Sequence, residues 1–286
     1  RRVRRRHQPC PGLIGGELLR PECRRADQEI VAVQPLHDIA VEGSQQVAVG
    51  DLNRDGFTDL VFCPNPIGVH HDRRFVSIAW GGPDGWTPQR INSPLPMNGA
   101  AAVAIVDLNG DEWPDIAVLG GTRWMPAQPE GRIIRVYLGS PTGYSVVEMR
   151  DFGVLDAQAI AAADFDRAGP RDLAVLGSDS RVTLLWGTAA TGGQWTPART
   201  EIVLPFADAR CITAGDVTGD ERPDLVIGRA SAAIDVIVAA ADRKWRKPQQ
   251  VPAFAATQIT IADIDRDANA DLVLIEFDQA RAAGGE

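Results

Sequence analysis

The sequence predicts an all-β fold, a β-propeller of four-stranded antiparallel blades, and three observations lead there. A nine-residue acidic loop recurs five times, opening at residues 51, 107, 164, 216 and 263. Each loop stands between two short apolar runs rich in branched side chains, such as Leu60-Val-Phe, Ile116-Ala-Val-Leu and Leu272-Val-Leu-Ile, which read as buried strands. Beyond the second run come an aromatic-ended strand, a turn and a further aromatic: 75–80 with Trp86, 135–137 with Tyr144, 182–186 with Trp195, and 234–238 with Trp245. Every unit therefore reads as strand A, acidic loop, strand B, connection, strand C, hairpin and strand D. A loop spacing of 47 to 57 residues marks an array of equivalent units. A ring of such units protects its strand edges.

The loops themselves carry metal-binding chemistry. Side-chain oxygens stand at positions one, three, five and nine. Loop one supplies Asp51, Asn53, Asp55 and Asp59, and loop two supplies Asp107, Asn109, Asp111 and Asp115. Loop three supplies Asp164, Asp166 and Asp172 but has Ala168 at position five. Loop four supplies Asp216, Thr218, Asp220 and Asp224, and loop five supplies Asp263, Asp265, Asp267 and Asp271. Position seven offers a backbone carbonyl, so Phe57, Trp113, Pro170, Arg222 and Asn269 need share no side-chain chemistry. Calcium takes about six to eight oxygens at roughly 2.3–2.6 Å, and this is its ligand list. The expected cofactor is Ca²⁺, up to five ions, with the loop at 164–172 the weakest candidate because it is one donor short. Asp and Asn also make good turns without metal, but Asp at positions one and nine in all five loops outweighs that reading.

An EF-hand opens in the same way yet requires a glutamate at position twelve and flanking helices. Here position twelve is Phe62, Val118, Val175, Ile227 and Leu274, all apolar and all within strand B. The loops join strand to strand. At position six, Glu112, Glu221 and Ala268 stand where glycine would more easily take a positive φ.

Composition narrows the function classes. At 286 residues and 44% hydrophobic, the chain can bury a real core. No run of about eighteen apolar residues is present, so no membrane span is expected. The net charge of −9 hides a basic opening, Arg1-Arg-Val-Arg-Arg-Arg6, and an acidic remainder whose carboxylates concentrate in the five loops. A nucleic-acid partner is therefore not expected for the body of the chain. Cys10, Cys23, Cys63 and Cys211 show no metal spacing; Cys10 and Cys23 could pair in an oxidising compartment, while Cys63 and Cys211 read as small apolar residues at strand ends.

Taken together, the loops and aromatic hairpins resemble the FG-GAP and VCBS repeats, the calcium-loop blades of integrin alpha-subunit propellers and of many secreted bacterial proteins. The resemblance covers about residues 45–278. It implies a propeller over 29–278, preceded by a basic, disordered segment over 1–28 and followed by a disordered tail over 279–286. Family rings have roughly six to eight blades, which implies a larger ring than the four complete units and half of a fifth seen here. Residues 30–33 could supply a stray outer strand. The implied role is a non-catalytic glycan- or protein-binding or adhesion module outside the cytoplasm, on a secreted, cell-surface or periplasmic protein. The alternative is the propeller of a lyase or glycoside hydrolase acting on acidic polysaccharide.

In such a blade the acidic loops lie at one end and the B–C and D–A connections at the other. Units one and two have long B–C connections, and long loops on a rigid scaffold collect function. His70, His71, Asp72 and Arg74 in the first, and Arg123 and Trp124 in the second, are the candidate ligand-binding residues. Adjacent histidines in one loop make a poor metal site, and a solvated loop is the simpler reading. No Gly-x-Ser-x-Gly elbow, phosphate loop or CxxC pair is present, so no catalytic residue is assigned.

Overall fold

This computed structural model describes residues 44–64, 75–121, 132–154, 157–179, 181–187, 195–205 and 207–276. Residues 1–28, 30–33 and 279–286, Cys10, Cys23, His70, His71, Asp72, Arg74, Arg123 and Trp124 lie outside them.

The regular secondary structure of the described residues is β-strand throughout, apart from one 3₁₀ turn at Pro88–Arg90. Sheet one runs β1 (Ser44–Gly50), β2 (Asp59–Pro64), β3 (Phe75–Ala79) and β4 (Ile91–Pro96), paired in chain order. Sheet two repeats the order with β5 (Asn98–Val106), β6 (Asp115–Gly121), β7 (Arg132–Tyr137) and β8 (Arg150–Val154). Sheet three is built of β9 (Ala157–Ala163), β10 (Asp172–Gly177), β11 (Arg181–Trp186) and β12 (Ala198–Val203). Sheet four uses β13 (Ala209–Gly215), β14 (Asp224–Arg229), β15 (Ala233–Ile237) and, after a separate small hairpin of β16 (Ala239–Ala240) and β17 (Lys244–Trp245), β18 (Gln249–Pro252). β19 (Ala256–Ala262) and β20 (Asp271–Glu276) form the start of a fifth. Every pairing is antiparallel. These are the expected blades of a β-propeller, four complete and a fifth of two strands.

The sheets pack face on face, and the core lies between them rather than within any one. Val61, Ile78, Leu95, Met97, Ile116, Val118 and Tyr137 fill the space between sheets one and two. Leu119, Ile134, Val136, Leu173, Leu185 and Trp195 fill the next space, and Ala174, Leu184, Trp186, Leu225 and Ile237 the one after. Val226, Ile234, Val236 and Ile259 join sheets four and five. A sheet covered on both sides must be apolar on both sides, which is why strand B reads as a continuous apolar run. β10 is buried at every position.

The first strands of successive sheets stand beside one another, β1 by β5, β5 by β9, β9 by β13 and β13 by β19. Their approach is close enough that a Cβ on Gly50 would lie 3.0 Å from Ile105, and one on Gly215 2.9 Å from Ile261. The outward faces of the first and last sheets carry exposed apolar side chains: Val47, Val49 and Phe75 on one, Val273 and Ile275 on the other.

Candidate metal centre

All five acidic loops join the first strand of a sheet to the second and share one backbone path. Position four (Arg54, Gly110, Arg167, Gly219, Arg266) and position six (Gly56, Glu112, Gly169, Glu221, Ala268) are both left-handed in every loop, with φ between 59° and 104°. Such a φ suits glycine and costs another residue about 1–2 kcal/mol. Loops one to four place a glycine at one of the two positions, whereas loop five has Arg266 and Ala268.

The carboxylate at position one organises this path. Asp51 accepts from the Asp55 amide at 3.1 Å and the Gly56 amide at 2.9 Å. Asp107, Asp164, Asp216 and Asp263 do the same for their own positions five and six. At position five, Asp55, Asp111, Asp220 and Asp267 each accept from the amide two residues on, at 2.8–3.0 Å. Loop three departs from the pattern in two linked ways. Ala168 offers no carboxylate, and Pro170 has no amide that would need one.

Position nine does something the spacing did not foretell. Asp59, Asp115, Asp172 and Asp224 are fully buried. One oxygen of each accepts from the amide of loop position two (Leu52, Leu108, Phe165, Val217) at 2.8–3.2 Å. The other accepts from the residue that leaves the third strand (Gly81, Gly139, Gly187, Ala239) at 2.7–2.9 Å. Each carboxylate thus staples its loop to the hairpin beside it. The three glycines have a steric cause as well: a Cβ there would lie 2.2–2.4 Å from the carbonyl oxygen of loop position eight. In loop five, Asp271 keeps the first bond, from Ile264 at 2.9 Å.

The charges follow from these surroundings. Burial pushes Asp115 and Asp172 up to about 7 despite the amides that favour their ionised forms. Asp59 and Asp224 are raised for the same reason. Burial also works on Asp216, but four backbone amides outweigh it and hold that carboxyl below its ordinary value.

The oxygens converge most tightly in two places among the described residues. Carboxylate oxygens of Asp164, Asp166 and Asp172 lie within 4.8 Å of one another, and so do those of Asp263, Asp265 and Asp267. In loops one and two the third position is an amide: Asn53 and Asn109 accept from the position-five amide and donate to its carboxylate. In loop four the Thr218 hydroxyl donates to Asp224 at 3.2 Å. Phe57, Trp113, Arg222 and Asn269 occupy position seven with their amides turned to position five. The donor set of loops one, two, four and five, oxygens alone, suits a hard cation.

Neighbouring loops are also tied to each other. Arg54 reaches Glu112 at 3.4 Å and stands 5.4 Å over the Trp113 ring, and Arg167 reaches Glu221 at 3.0 Å. An arginine at position four of one loop meets a glutamate at position six of the next. These side chains are 46–80% exposed, so each pair contributes only about 0.2–1 kcal/mol. A double-mutant cycle on Arg54→Ala and Glu112→Ala is expected to give a coupling in that range, smaller in high salt; a coupling above about 2 kcal/mol would contradict the exposed-pair reading.

Residues 51–118 and 164–227 each match the family model of the FG-GAP-like repeat. These two stretches are FG-GAP-like repeats. Each matched repeat spans two acidic loops and the strands around them, and each contains one Arg–Glu tie, Arg54–Glu112 in the first and Arg167–Glu221 in the second. The curated proteins contain no match to this chain.

At the end of the sheets away from the loops, a cleft of about 230 Å³ opens between sheets two and three. Gly153, Gly177, Asp179, Arg181, Arg199 and Glu201 are among its walls. Arg181 pairs with Glu201 at 2.6 Å and Asp179 at 3.5 Å, and Arg199 donates to the Gly153 carbonyl at 3.0 Å. At the same end of sheet four, Arg229 bridges Asp208 at 2.8 Å and the buried Asp235 at 3.6 Å. Cys63 and Cys211 are buried thiols pushed up to about 12 and 11, which leaves them unreactive at neutral pH.

Proposed function

We propose that this chain is a calcium-braced, non-catalytic propeller module that binds a glycan or protein outside the cytoplasm. The observation that carries the proposal is the repetition of one oxygen-donor loop at the same edge of successive sheets, the first four anchored by a fully buried carboxylate. Asp51, Asn53, Asp55 and Asp59 would hold the ion in loop one. Asp107, Asn109, Asp111 and Asp115 would do so in loop two, Asp216, Thr218, Asp220 and Asp224 in loop four, and Asp263, Asp265, Asp267 and Asp271 in loop five. The ion supplies positive charge that offsets clustered carboxylates, three of which, Asp59, Asp115 and Asp224, are made harder to ionise by burial. It thereby braces the loop against its hairpin.

FG-GAP-like repeats belong to propeller-like adhesion and extracellular modules, which supports a binding role. Among the described residues, no helix is long and apolar enough to cross a membrane. Extracellular calcium modules bind with Kd of about 10⁻⁴–10⁻³ M, and a site that weak fills outside the cell. The cleft between sheets two and three is smaller than the roughly 300–1,000 Å³ usual for small-molecule pockets. A recess of this size whose polar walls carry ion pairs suits surface recognition.

The test is an array of glycans and extracellular matrix proteins, probed with the chain at about 10 mM calcium and again in chelator. Selective binding that is lost in chelator is the expected result. Absence of binding to every probe, or binding indifferent to calcium, would count against the proposal.

A further inference from the structure

The third loop is one donor short of the other four, and the structure places another cation there. Its carboxylates converge: oxygens of Asp164, Asp166 and Asp172 lie within 4.8 Å of one another. Yet the fifth position is Ala168, so the ring lacks a donor that loops one, two, four and five supply. Into this cluster comes Arg243, from the turn of the small separate β16–β17 hairpin that lies between β15 and β18 in the chain. Its Nε donates to Asp166 Oδ2 at 2.9 Å, and its Nη2 lies 2.7 Å from the same oxygen. The other oxygen of Asp166 accepts from the Ala168 amide at 2.9 Å. Both oxygens of the third-position carboxylate are thus engaged.

Three further features make this a built arrangement. The Arg243 guanidinium lies 4.7 Å from the centre of the Trp186 ring, a cation–π contact that fixes its plane. The Asp166 side chain is only 9% exposed, so the pair is better shielded than the loop-to-loop ties. Asp242 and Arg243 both adopt left-handed φ, 59° and 57°, an uncommon backbone that aims the arginine across to the neighbouring sheet. Loop five makes the comparison. It has the same Asp-x-Asp opening, and Asp265 stands where Asp166 does, but no described basic side chain pairs with it. Loop five also keeps Asp267 at the fifth position.

We propose that Arg243 takes the place of the metal ion in loop three, so that a guanidinium neutralises and braces this loop while its neighbours use calcium. The inference rests on the calcium reading only for the contrast between loops. The geometry around Asp166 stands without it. The paired changes at Ala168 and Pro170 belong to the same arrangement: a loop that does not use an ion needs neither the fifth-position carboxylate nor the amide it would accept from. The consequence is a module that keeps one sheet junction, between sheets three and four, locked when calcium is withdrawn.

Hydrogen exchange resolved to the individual loops tests this on the whole chain, in about 10 mM calcium and in chelator. At calcium near ten times Kd, a loop that binds the ion gains protection of about tenfold. That gain is expected for 51–59, 107–115, 216–224 and 263–271, with less than about a twofold change for 164–172. Arg243→Gln should lower protection of 164–172 equally in calcium and in chelator. Adding Ala168→Asp to Arg243→Gln should restore protection in calcium alone, since the ring then regains its donor and the guanidinium is gone. Arg243→Lys, which keeps charge but loses the planar stack on Trp186, should fall between wild type and Arg243→Gln. A wild-type loop three that loses protection in chelator as its neighbours do would overturn the proposal. So would an Arg243→Gln chain whose loop three exchanges as wild type does. If no loop responds to calcium, the calcium reading fails, and the Arg243→Gln comparison still decides the role of the arginine.

Discussion

Replacing Asp115 with alanine is expected to cost about 2–6 kcal/mol of folding stability, by leaving two buried amides without acceptors at about 1–3 kcal/mol each. Asp115 is fully buried, and its two oxygens take the amides of Leu108 and Gly139 at 2.8 Å each. Neither amide has water to turn to once the carboxylate is gone. Asp115→Asn should cost roughly half as much, because one oxygen remains to accept while the new amide group meets a donor. Asp59→Ala and Asp172→Ala should resemble Asp115→Ala, since their surroundings are equivalent. Asp271→Ala should cost less, because that carboxylate is only half-buried and holds the single amide of Ile264 among the described residues. Urea unfolding of this series checks the ranking. Equal losses at Asp115 and Asp271 would contradict the stapling role.

Trp195→Ala is the second large expected effect, about 3–5 kcal/mol, as for other truncations of a buried aromatic. Trp195 is 1% exposed, lies in the core between sheets two and three, and meets the Phe152 ring edge to face at 4.8 Å. Removing it empties a junction between sheets, so the loss should be felt by both. Its indole nitrogen, however, is buried with no hydrogen-bond partner among the described residues. Trp195→Phe keeps an aromatic ring and removes that unsatisfied donor, though it empties the space of the indole's second ring, so it should cost less than Trp195→Ala. A Phe variant as unstable as the Ala variant would contradict the reading that aromatic packing is the main contribution of this side chain.

The sequence shows the five loops and the order of strands because both rest on local chemistry. Alternate oxygens converge in a tight turn, and a strand buried on both faces must be apolar throughout; either is readable within ten residues. The partners that cross between sheets are not readable in this way. Arg54 and Glu112 are 58 residues apart, and Arg243 and Asp166 are 77 apart, so only the packed sheets bring them together. A signal for the first did exist: arginine at position four of loops one, three and five alternates with glutamate at position six of loops two and four. The stapling by position nine had a fainter signal, the recurring glycine at 81, 139 and 187, whose amide reaches the carboxylate. Nothing local marks the β16–β17 hairpin as the carrier of a cation for another sheet. The residues proposed for ligand contact from loop length, His70, His71, Asp72, Arg74, Arg123 and Trp124, lie outside the described residues.

The central claim is that metal bound in the acidic loops stabilises the module, and thermal unfolding in calcium against chelator tests it most directly. Each ion at ten times its Kd should add about 1.4 kcal/mol. At about 2–4 °C per kcal/mol for a domain of this size, four filled loops should raise Tm on the order of 10 °C. The account predicts such a rise, growing with calcium concentration and reversed by chelator. An identical Tm in calcium and in chelator would contradict it.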